Sequence, residues 1–379
     1  MKPAAPRFTR KGVADAVVIL ALAAFSVWLW MKPGPSPLID TGGMRTVRAE
    51  VLEVDDSGIQ LHGLIEFGTQ MLKVRLPDGT VADAANELRA QLELDKKFRP
   101  GDTALVLVPR AGPPTDVLVA RDHWRLGWAG VLFALFALSL AVFGGATGLR
   151  ALFTFVFSCL AIWKLLVPSV LTGCSATAAS FTTVAGLTAA IVFLVAGFTR
   201  KGVSAFAGAM LGVVASLALA EFFARVVHVN GATMPFSQQL LYAGCPGMDL
   251  ADVFTGAAIL ASSGAVMDLA MDIAAGVAEV KRHNASLGAR ELFGSGLRIG
   301  RSVVGTMTTT LLLAYSGGYL TLLMVFAAEG TRPLDFLNST LVSAELVKTL
   351  VGSFGLVLVA PFTAFVSAVV FTWKGRPGE

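Results

Sequence analysis

The sequence predicts an α-helical integral membrane protein of about eight transmembrane helices, with a small extracytoplasmic β-rich (OB-like) domain inserted between helices 1 and 2. Of the 379 residues, 55% are hydrophobic and only 15% are charged, and the mean hydropathy of +0.70 exceeds that of typical soluble domains. The apolar runs are about as long as a helix must be to cross a bilayer. One N-terminal segment instead alternates in the period of a β-strand.

The N-terminal part of the chain combines a predicted helix with a predicted soluble domain. Residues 1–32 hold a short cytoplasmic tail and the first helix, 13–31, which ends in the bulky WLWM and is therefore expected to be retained rather than cleaved as a signal peptide. Residues 33–123 contain TVRAEVLEV, MLKVRLPDGTV and TALVLVP, which alternate like strands. About five short strands predict a small barrel or sandwich.

Residues 124–379 form the predicted seven-helix transmembrane domain. The GGATGLR connection is short enough to predict an antiparallel hairpin between its first two helices, and Pro361 predicts a kink in the last one. The expected spans are 126–144, 150–168, 178–198, 202–227, 252–279, 302–327 and 340–372. Basic residues concentrate at alternate span ends, which predicts that both termini are cytoplasmic and that the β-rich domain is extracytoplasmic.

The cysteines and histidines argue against a metal-centred protein. Cys159, Cys174 and Cys245 are too few for a disulfide-built fold, and the four histidines lie in different segments, so no metal site and no cofactor are expected. The topology places Cys174 and Cys245 in outer loops, where a disulfide between them is one hypothesis and two unrelated thiols the other. The absence of an aromatic-and-basic pattern argues against nucleic acid as a partner. The expected partners are the lipid bilayer, an unknown small solute or ion, and a further copy of the chain.

Two aspartates stand out in the apolar stretch SSGAVMDLAMDIAAGVAEV, residues 262–280. Positions four apart share a helix face, and the glycines and carboxylates on it predict that this face looks inward. The next span runs the other way and brings its threonines to the same depth, on the cytoplasmic side of the midplane. One interpretation is a proton or ion site, and the other is a set of bonds that hold helices together. The candidate residues are Ser263, Gly264, Asp268, Asp272, Thr306, Thr309 and Thr310.

Two further patterns concern polar and small residues in the spans. Local ion pairs are the preferred interpretation of an outer charge cluster, and an outer gate is the alternative. This cluster comprises Lys164, Glu221, Arg225, Glu345 and Lys348. A stripe of small residues permits tight packing against a helix of this chain or of a second copy. It comprises Ser204, Gly208, Gly212, Ser216 and Ala220.

Three segments carry a family resemblance: DLADVFTGAAILASSGAVMDLAMDIAAGVAEV, SGLRIGRSVVGTMTTTLLLAYSGGYLTLLM and ELVKTLVGSFGLVLVAPFTAF. They resemble the YibE/F-like family of bacterial membrane proteins, and the resemblance extends over the whole chain. It implies a multi-pass protein of the bacterial cytoplasmic (inner) membrane that is suspected of transport, with no substrate specified. The matching motifs include Gly264, Asp268, the threonines from Thr306 to Thr310, and Tyr315.

The sequence leaves three functions open. The first is a transporter or permease driven by a proton or sodium gradient, since no Walker A motif is present. The second is a scaffold whose outer β domain binds a partner. The third, a minor alternative, is an intramembrane aspartyl protease, although both aspartates occupy one helix and GAVMD does not match the usual Gly-x-Gly-Asp setting. A non-enzymatic protein is expected.

Overall fold

The computed structural model describes residues 10–34, 43–110 and 117–373, with side chains from residue 20 onward. The chain divides into two compact units. One comprises Pro37–Phe143, and the other comprises Met1–Ser36 together with Gly144–Glu379.

The first unit contains a closed β-barrel. Its strands are β1 (Met44–Asp55), β2 (Ile59–His62), β3 (Ile65–Arg75), β4 (Val81–Arg89), β5 (Thr103–Pro109) and β6 (Leu118–His123). The sheet order is β1-β5-β6-β4-β3-β2, and β1 also pairs with β3, so that five strands close a barrel. Only the β4–β6 pair is parallel. This is the Greek-key order of a five-stranded OB barrel, and the predicted small barrel is confirmed.

The interior of the barrel combines an apolar core with one buried amide pair. Leu72, Val74 and Val106 are at most 2% exposed and come from strands whose alternate residues face outward. Gln70 and Asn86 are also fully buried and form this amide pair, in which Asn86 donates to the side-chain oxygen of Gln70 at 3.1 Å. The side chain of Gln70 also donates to the carbonyl of Phe98 at 3.1 Å and accepts from the N–H of Phe98 at 2.9 Å. The loop between β4 and β5 is thereby fixed to the barrel.

The helical elements are α1 (Arg10–Met31), α2 (Leu126–Ala161), a π-helical turn (Ile162–Leu166), α3 (Val167–Leu171), α4 (Ala176–Ala196), α5 (Arg200–Val226), α6 (Ser237–Tyr242), α7 (Leu250–His283), α8 (Ala289–Gly318), α9 (Leu320–Ala328), α10 (Pro333–Asn338) and α11 (Thr340–Thr372). Among the described residues, five helical stretches are long and apolar enough to cross a membrane, and the bent pair α8–α9 makes a sixth. The continuous stretch Leu126–Leu171 has 46 residues. At 1.5 Å per residue it has a contour length of about 69 Å, enough for two spans. The predicted eight helices therefore stay a prediction.

Three places in the helices bear on the predicted boundaries. The expected connection GGATGLR contains a kink, since α2 consists of two helices that meet at Gly145, whose backbone is not helical (φ 52°, ψ −131°). The antiparallel arrangement of these two helices stays a prediction. The expected straight span 302–327 begins earlier, at Ala289, and bends by 65° between α8 and α9, next to the flexible pair Gly317–Gly318. Finally, the predicted last span, 340–372, coincides with α11, and Pro361 lies inside this helix, where the kink stays a prediction.

The second unit is built around α5, α7, α8 and α11, which share one buried apolar cluster. The small-residue stripe of α5 packs on α11 of the same chain: Gly208 lies against Thr363, Gly212 against Val359, and Ser216 against Gly355. The stripe is therefore an intrachain contact, one of the two alternatives that the sequence left open. Its small side chains allow the two backbones to approach closely.

Candidate functional site

The candidate aspartates lie on α7, a helix whose start is fixed by its own cap. The carboxylate of Asp249 accepts hydrogen bonds from the N–H groups of Ala251 (2.9 Å) and Asp252 (3.2 Å), which supplies partners for the first free donors of the helix. From there α7 packs against α4, α5, α8 and α11. One side of the helix remains uncovered.

Gly264, Asp268 and Asp272 occupy this uncovered side, and all three are exposed. The expectation that their face looks inward is therefore wrong. Because each step of four residues turns a helix by about 40°, the row does not keep to one neighbour. Gly256 packs on Ala176 and Ser180 of α4, and Gly276 packs on Ile299 of α8. Between these two contacts the row crosses the open side, where a Cβ at Gly264 would meet nothing within 4 Å.

Both carboxylates lack a local partner. Among the described residues, neither Asp268 nor Asp272 makes a hydrogen bond or an ion pair. The neighbouring Ser263 does not supply one, since its hydroxyl donates to the carbonyl of Leu260 at 2.8 Å. Two acids thus stand one helical turn apart in an apolar helix without a compensating cation from the residues that the structure describes.

The α7–α8 contacts show which residues share a level. The helices run antiparallel, with Gly276 beside Ile299 and Gly300 beside Ile273. Continuing this register puts Asp268 level with about residues 305–307 of α8, and Asp272 level with about residues 301–303. The carboxylates and the first of the threonines therefore lie in one layer, as the sequence predicted from helix geometry.

The threonine hydroxyls do not reach the carboxylates in this structure. Thr306 donates to Val303 at 2.9 Å, Thr309 to Gly305 at 3.1 Å, and Thr310 to Thr306 at 3.0 Å, in each case to a carbonyl of α8 itself. All three side chains are exposed. They are available to a ligand but do not clamp the two helices together.

Tyr315 lies away from the layer that holds Asp268 and Asp272. It lies about 13 Å along α8 from Thr306. Its hydroxyl is buried, has no hydrogen-bond partner among the described residues, and faces Gly352 of α11 together with Leu311. The structure therefore separates Tyr315 from the aspartate layer.

The outer charge cluster resolves into separate local interactions. Lys164 donates to the carbonyl of Lys32 at 2.6 Å, at the end of α1. Glu345 pairs with Lys348 at 2.8 Å, and this pair is largely shielded, with side chains 26% and 19% exposed. Glu221 pairs with Arg225 at 3.5 Å on the surface of α5. No contact joins the three interactions into one site.

Sequence reasoning missed the role of Asp252. Its carboxylate accepts hydrogen bonds from the N–H groups of Ala176 (2.5 Å) and Thr177 (3.1 Å) and from the hydroxyl of Ser175 (3.1 Å). It therefore caps the N-terminus of α4 from a neighbouring helix and ties α4 to α7. Ser175 directly precedes α4, and no signal in the sequence pairs its position with a residue 77 positions away.

Asp252 also lines a cavity of about 470 Å³ together with Cys174 and Cys245. Cys174 is exposed and Cys245 is buried, and both are free thiols in the structure. The disulfide between them stays a prediction. Within the described parts of the chain, no group of three or more His, Cys, Asp or Glu side chains is arranged to hold a metal ion.

Comparison with known proteins places the helical region in a family. The family model described as YibE/F-like protein matches residues 132–373, which is more than half of the chain. The match is narrower than the resemblance expected from the sequence, because α1 and the barrel lie outside it. No curated protein and no solved structure matches. The chain belongs to the YibE/F-like family.

Proposed function

We propose that this protein is a membrane transporter or permease that moves a small solute or ion, coupled to protons or cations through the layer of Asp268, Asp272 and the α8 threonines. The observation that carries the proposal is the pair of unpaired carboxylates on α7, level with Thr306 across an antiparallel register. Family membership and the apolar helices support a membrane protein.

The chemistry of the layer favours a cationic ligand. A carboxylate at membrane depth costs about 2.5–3.5 kcal/mol on insertion scales. Two carboxylates four residues apart also repel each other unless a proton or a cation neutralises one of them. Hydroxyl oxygens at the same level supply further ligands of the kind that hard cations prefer. A proton or a small cation is therefore the expected occupant.

The proposal includes an orientation. The distribution of basic residues supports insertion in the bacterial inner membrane with both termini in the cytoplasm and the barrel outside. The cytoplasmic side would then hold the connection between α7 and α8, where Lys281, Arg282 and His283 end α7. The aspartate layer would be reached from that side first.

The alternatives make different use of the same features. A scaffold would rely on the barrel, which has its own closed core and so resembles a binding module. A protease would need two aspartates that face each other across a substrate, whereas Asp268 and Asp272 follow one another on one helix. We therefore propose a protein that is not an enzyme.

Flux measurements in proteoliposomes test the proposal. Wild-type vesicles should move protons or a monovalent cation faster than empty vesicles after a pH or ion jump. Asp268→Asn should abolish most of this flux, because the amide cannot carry the exchangeable charge. Glu279→Gln is the matched control, since Glu279 is an exposed acid on the same helix that pairs with Arg282.

Two results would overturn the proposal. Wild-type vesicles that are no leakier than empty ones across the candidate ions would favour the scaffold. Flux that Asp268→Asn leaves unchanged would remove the aspartate layer from the mechanism.

A further inference from the structure

We propose that two copies of this chain pair through the open side of α7 and α8, so that Asp268 and Asp272 lie in the interface between copies. The inference goes beyond the proposed function, because pairing does not require transport. It rests on the chemistry of the exposed positions, on two open glycines, and on charges that have no ion-pair partner among the described residues.

The exposed positions of α5 and α11 suit lipid. The outward faces of α5 and α11 carry large apolar side chains, among them Leu211, Phe222, Leu350, Phe354 and Phe365, which are 44–61% exposed. Such residues are as apolar as the acyl chains they would contact.

The open side of α7 has the opposite chemistry. None of the residues of α7, all of which the structure describes, is an exposed large apolar residue. The exposed positions are instead Ala257, Ala261, Gly264, Asp268 and Asp272. Small and acidic residues in an apolar helix are typical of contacts between helices rather than of contacts with lipid.

Two exposed glycines, one on α7 and one on α8, have no neighbour that requires the absence of a side chain at their positions. A Cβ at Gly264 of α7 or at Gly305 of α8 would meet nothing within 4 Å. Glycine in a helix costs about 1 kcal/mol relative to alanine. The buried glycines of this unit, such as Gly208, admit a neighbouring backbone. By the same logic, Gly264 and Gly305 leave room for a helix from outside the chain.

Two exposed arginines of α8 lie near the level of the acids of α7. Arg298 and Arg301 are exposed on α8, within about one helical turn of the level of Asp272. Neither arginine has an ion-pair partner among the described residues, and the guanidinium of Arg298 donates to the hydroxyl of Ser295 at 3.0 Å. At this level the exposed surface therefore carries acids on α7 and bases on α8, a combination that is complementary to the same surface of a second copy.

A second copy is the occupant that fits such a face. A two-fold axis along the membrane normal keeps equal depths together and brings α7 of one copy against α8 of the other. Asp272 of each copy then approaches the arginines of its partner, while the small residues permit close backbone contact. The aspartate layer becomes enclosed only in the pair, so that each copy completes the site of the other.

Cross-linking in a cysteine-free background tests the pairing. In the Cys159→Ser, Cys174→Ser, Cys245→Ser protein, Ala261→Cys should join two chains with a short bismaleimide in the native membrane. The control is Leu211→Cys, which is exposed on α5, a helix packed against α7 away from its open side. We expect about tenfold more dimer from position 261 than from position 211. Equal yields would overturn the proposal.

A charge exchange tests the proposed complementarity. We add Asp272→Arg to the chain whose single cysteine is the one introduced by Ala261→Cys. When every chain carries Asp272→Arg, the dimer yield should fall about tenfold. Mixing the Asp272→Arg chain with a copy that carries Arg298→Asp and Arg301→Asp should restore the yield. Failure of the mixed pair to recover, with both chains present at wild-type levels in the membrane, would overturn the proposed contacts.

The pairing and the transport proposal fail separately. Cross-linking measures pairing in membranes without any ion gradient, whereas flux measures transport without any cross-linker. Wild-type flux in a protein that never cross-links above the control would overturn only the interface. A cross-linked pair without flux would leave the interface standing and overturn only the transporter.

Discussion

Replacing Gly208 with alanine should loosen α5 from α11. A Cβ at this position would lie 2.7 Å from the Cβ of Thr363 and 2.8 Å from its Cα, against 3.4–4 Å for ordinary contact. Rotation of the threonine cannot relieve these contacts, since both atoms are fixed by the backbone of α11. Overpacking of this kind costs about 1–3 kcal/mol, and the backbone contact favours the upper end. Alanine regains about 1 kcal/mol in helix propensity, so we expect a net loss of about 2 kcal/mol.

Thermal unfolding of the purified protein in detergent measures this loss. At about 2–4 °C per kcal/mol for a unit of this size, Gly208→Ala should lower the Tm by about 4–8 °C. Gly186→Ala is the matched control on α4, because its Cβ would meet nothing within 4 Å. A second change, Thr363→Ala, should not rescue the variant, since the Cβ and Cα of residue 363 remain in place. Equal Tm values for the 208 and 186 variants, or full rescue, would refute the reasoning.

The remaining predictions concern the α4 cap and the barrel. Asp252→Ala should free the first N–H groups of α4 and cost about 1–3 kcal/mol, with faster hydrogen exchange at residues 176–178 and a smaller effect for Asp252→Asn. Unchanged exchange there would contradict the capping role. Gln70→Leu should leave the N–H of Phe98 unpaired inside the barrel and cost about 1–3 kcal/mol. Limited proteolysis should then cut the β4–β5 loop while the helices stay intact, and an unaltered cleavage pattern would count against the buried amide pair.

The strands of the barrel were largely predictable, because buried and exposed residues alternate along each strand. Leu72 and Val74 are buried while Lys73 between them is exposed, so the period of two gave the strand and its inward face. Closure was not predictable, because it depends on the parallel pairing of β4 with β6, where Ala84 meets Leu118. No local pattern specifies a pairing between segments so far apart in sequence.

For the candidate site, the positions of residues along the helix axis were predictable, but which face of the helix is covered by a neighbour was not. Spacing correctly put Gly264, Asp268 and Asp272 on one face, and the helix rise correctly put Asp268 near the level of Thr306. Which neighbour covers each face depends on how helices cross, and this is decided by shape contacts such as Gly276 against Ile299. The inference that polar residues must look inward failed because the described neighbours of α7 leave the side of Gly264, Asp268 and Asp272 uncovered.

In the proposed transporter, the charge of the two aspartates would set the balance between two arrangements of the open face. Each charged carboxylate costs about 2.5–3.5 kcal/mol in apolar surroundings, so the two together raise the free energy of an arrangement that keeps them there by about 5–7 kcal/mol. Moving a two-state equilibrium from 1:99 to 99:1 requires about 5.5 kcal/mol. Neutralisation of Asp268 and Asp272 by protons or a cation is thus large enough to drive the proposed transporter between two arrangements of the face. The variant Asp268→Asn with Asp272→Asn is permanently neutral, so any solute movement it retains should no longer respond to an imposed pH gradient. Retained dependence on that gradient in vesicles would place the coupling group elsewhere in the chain.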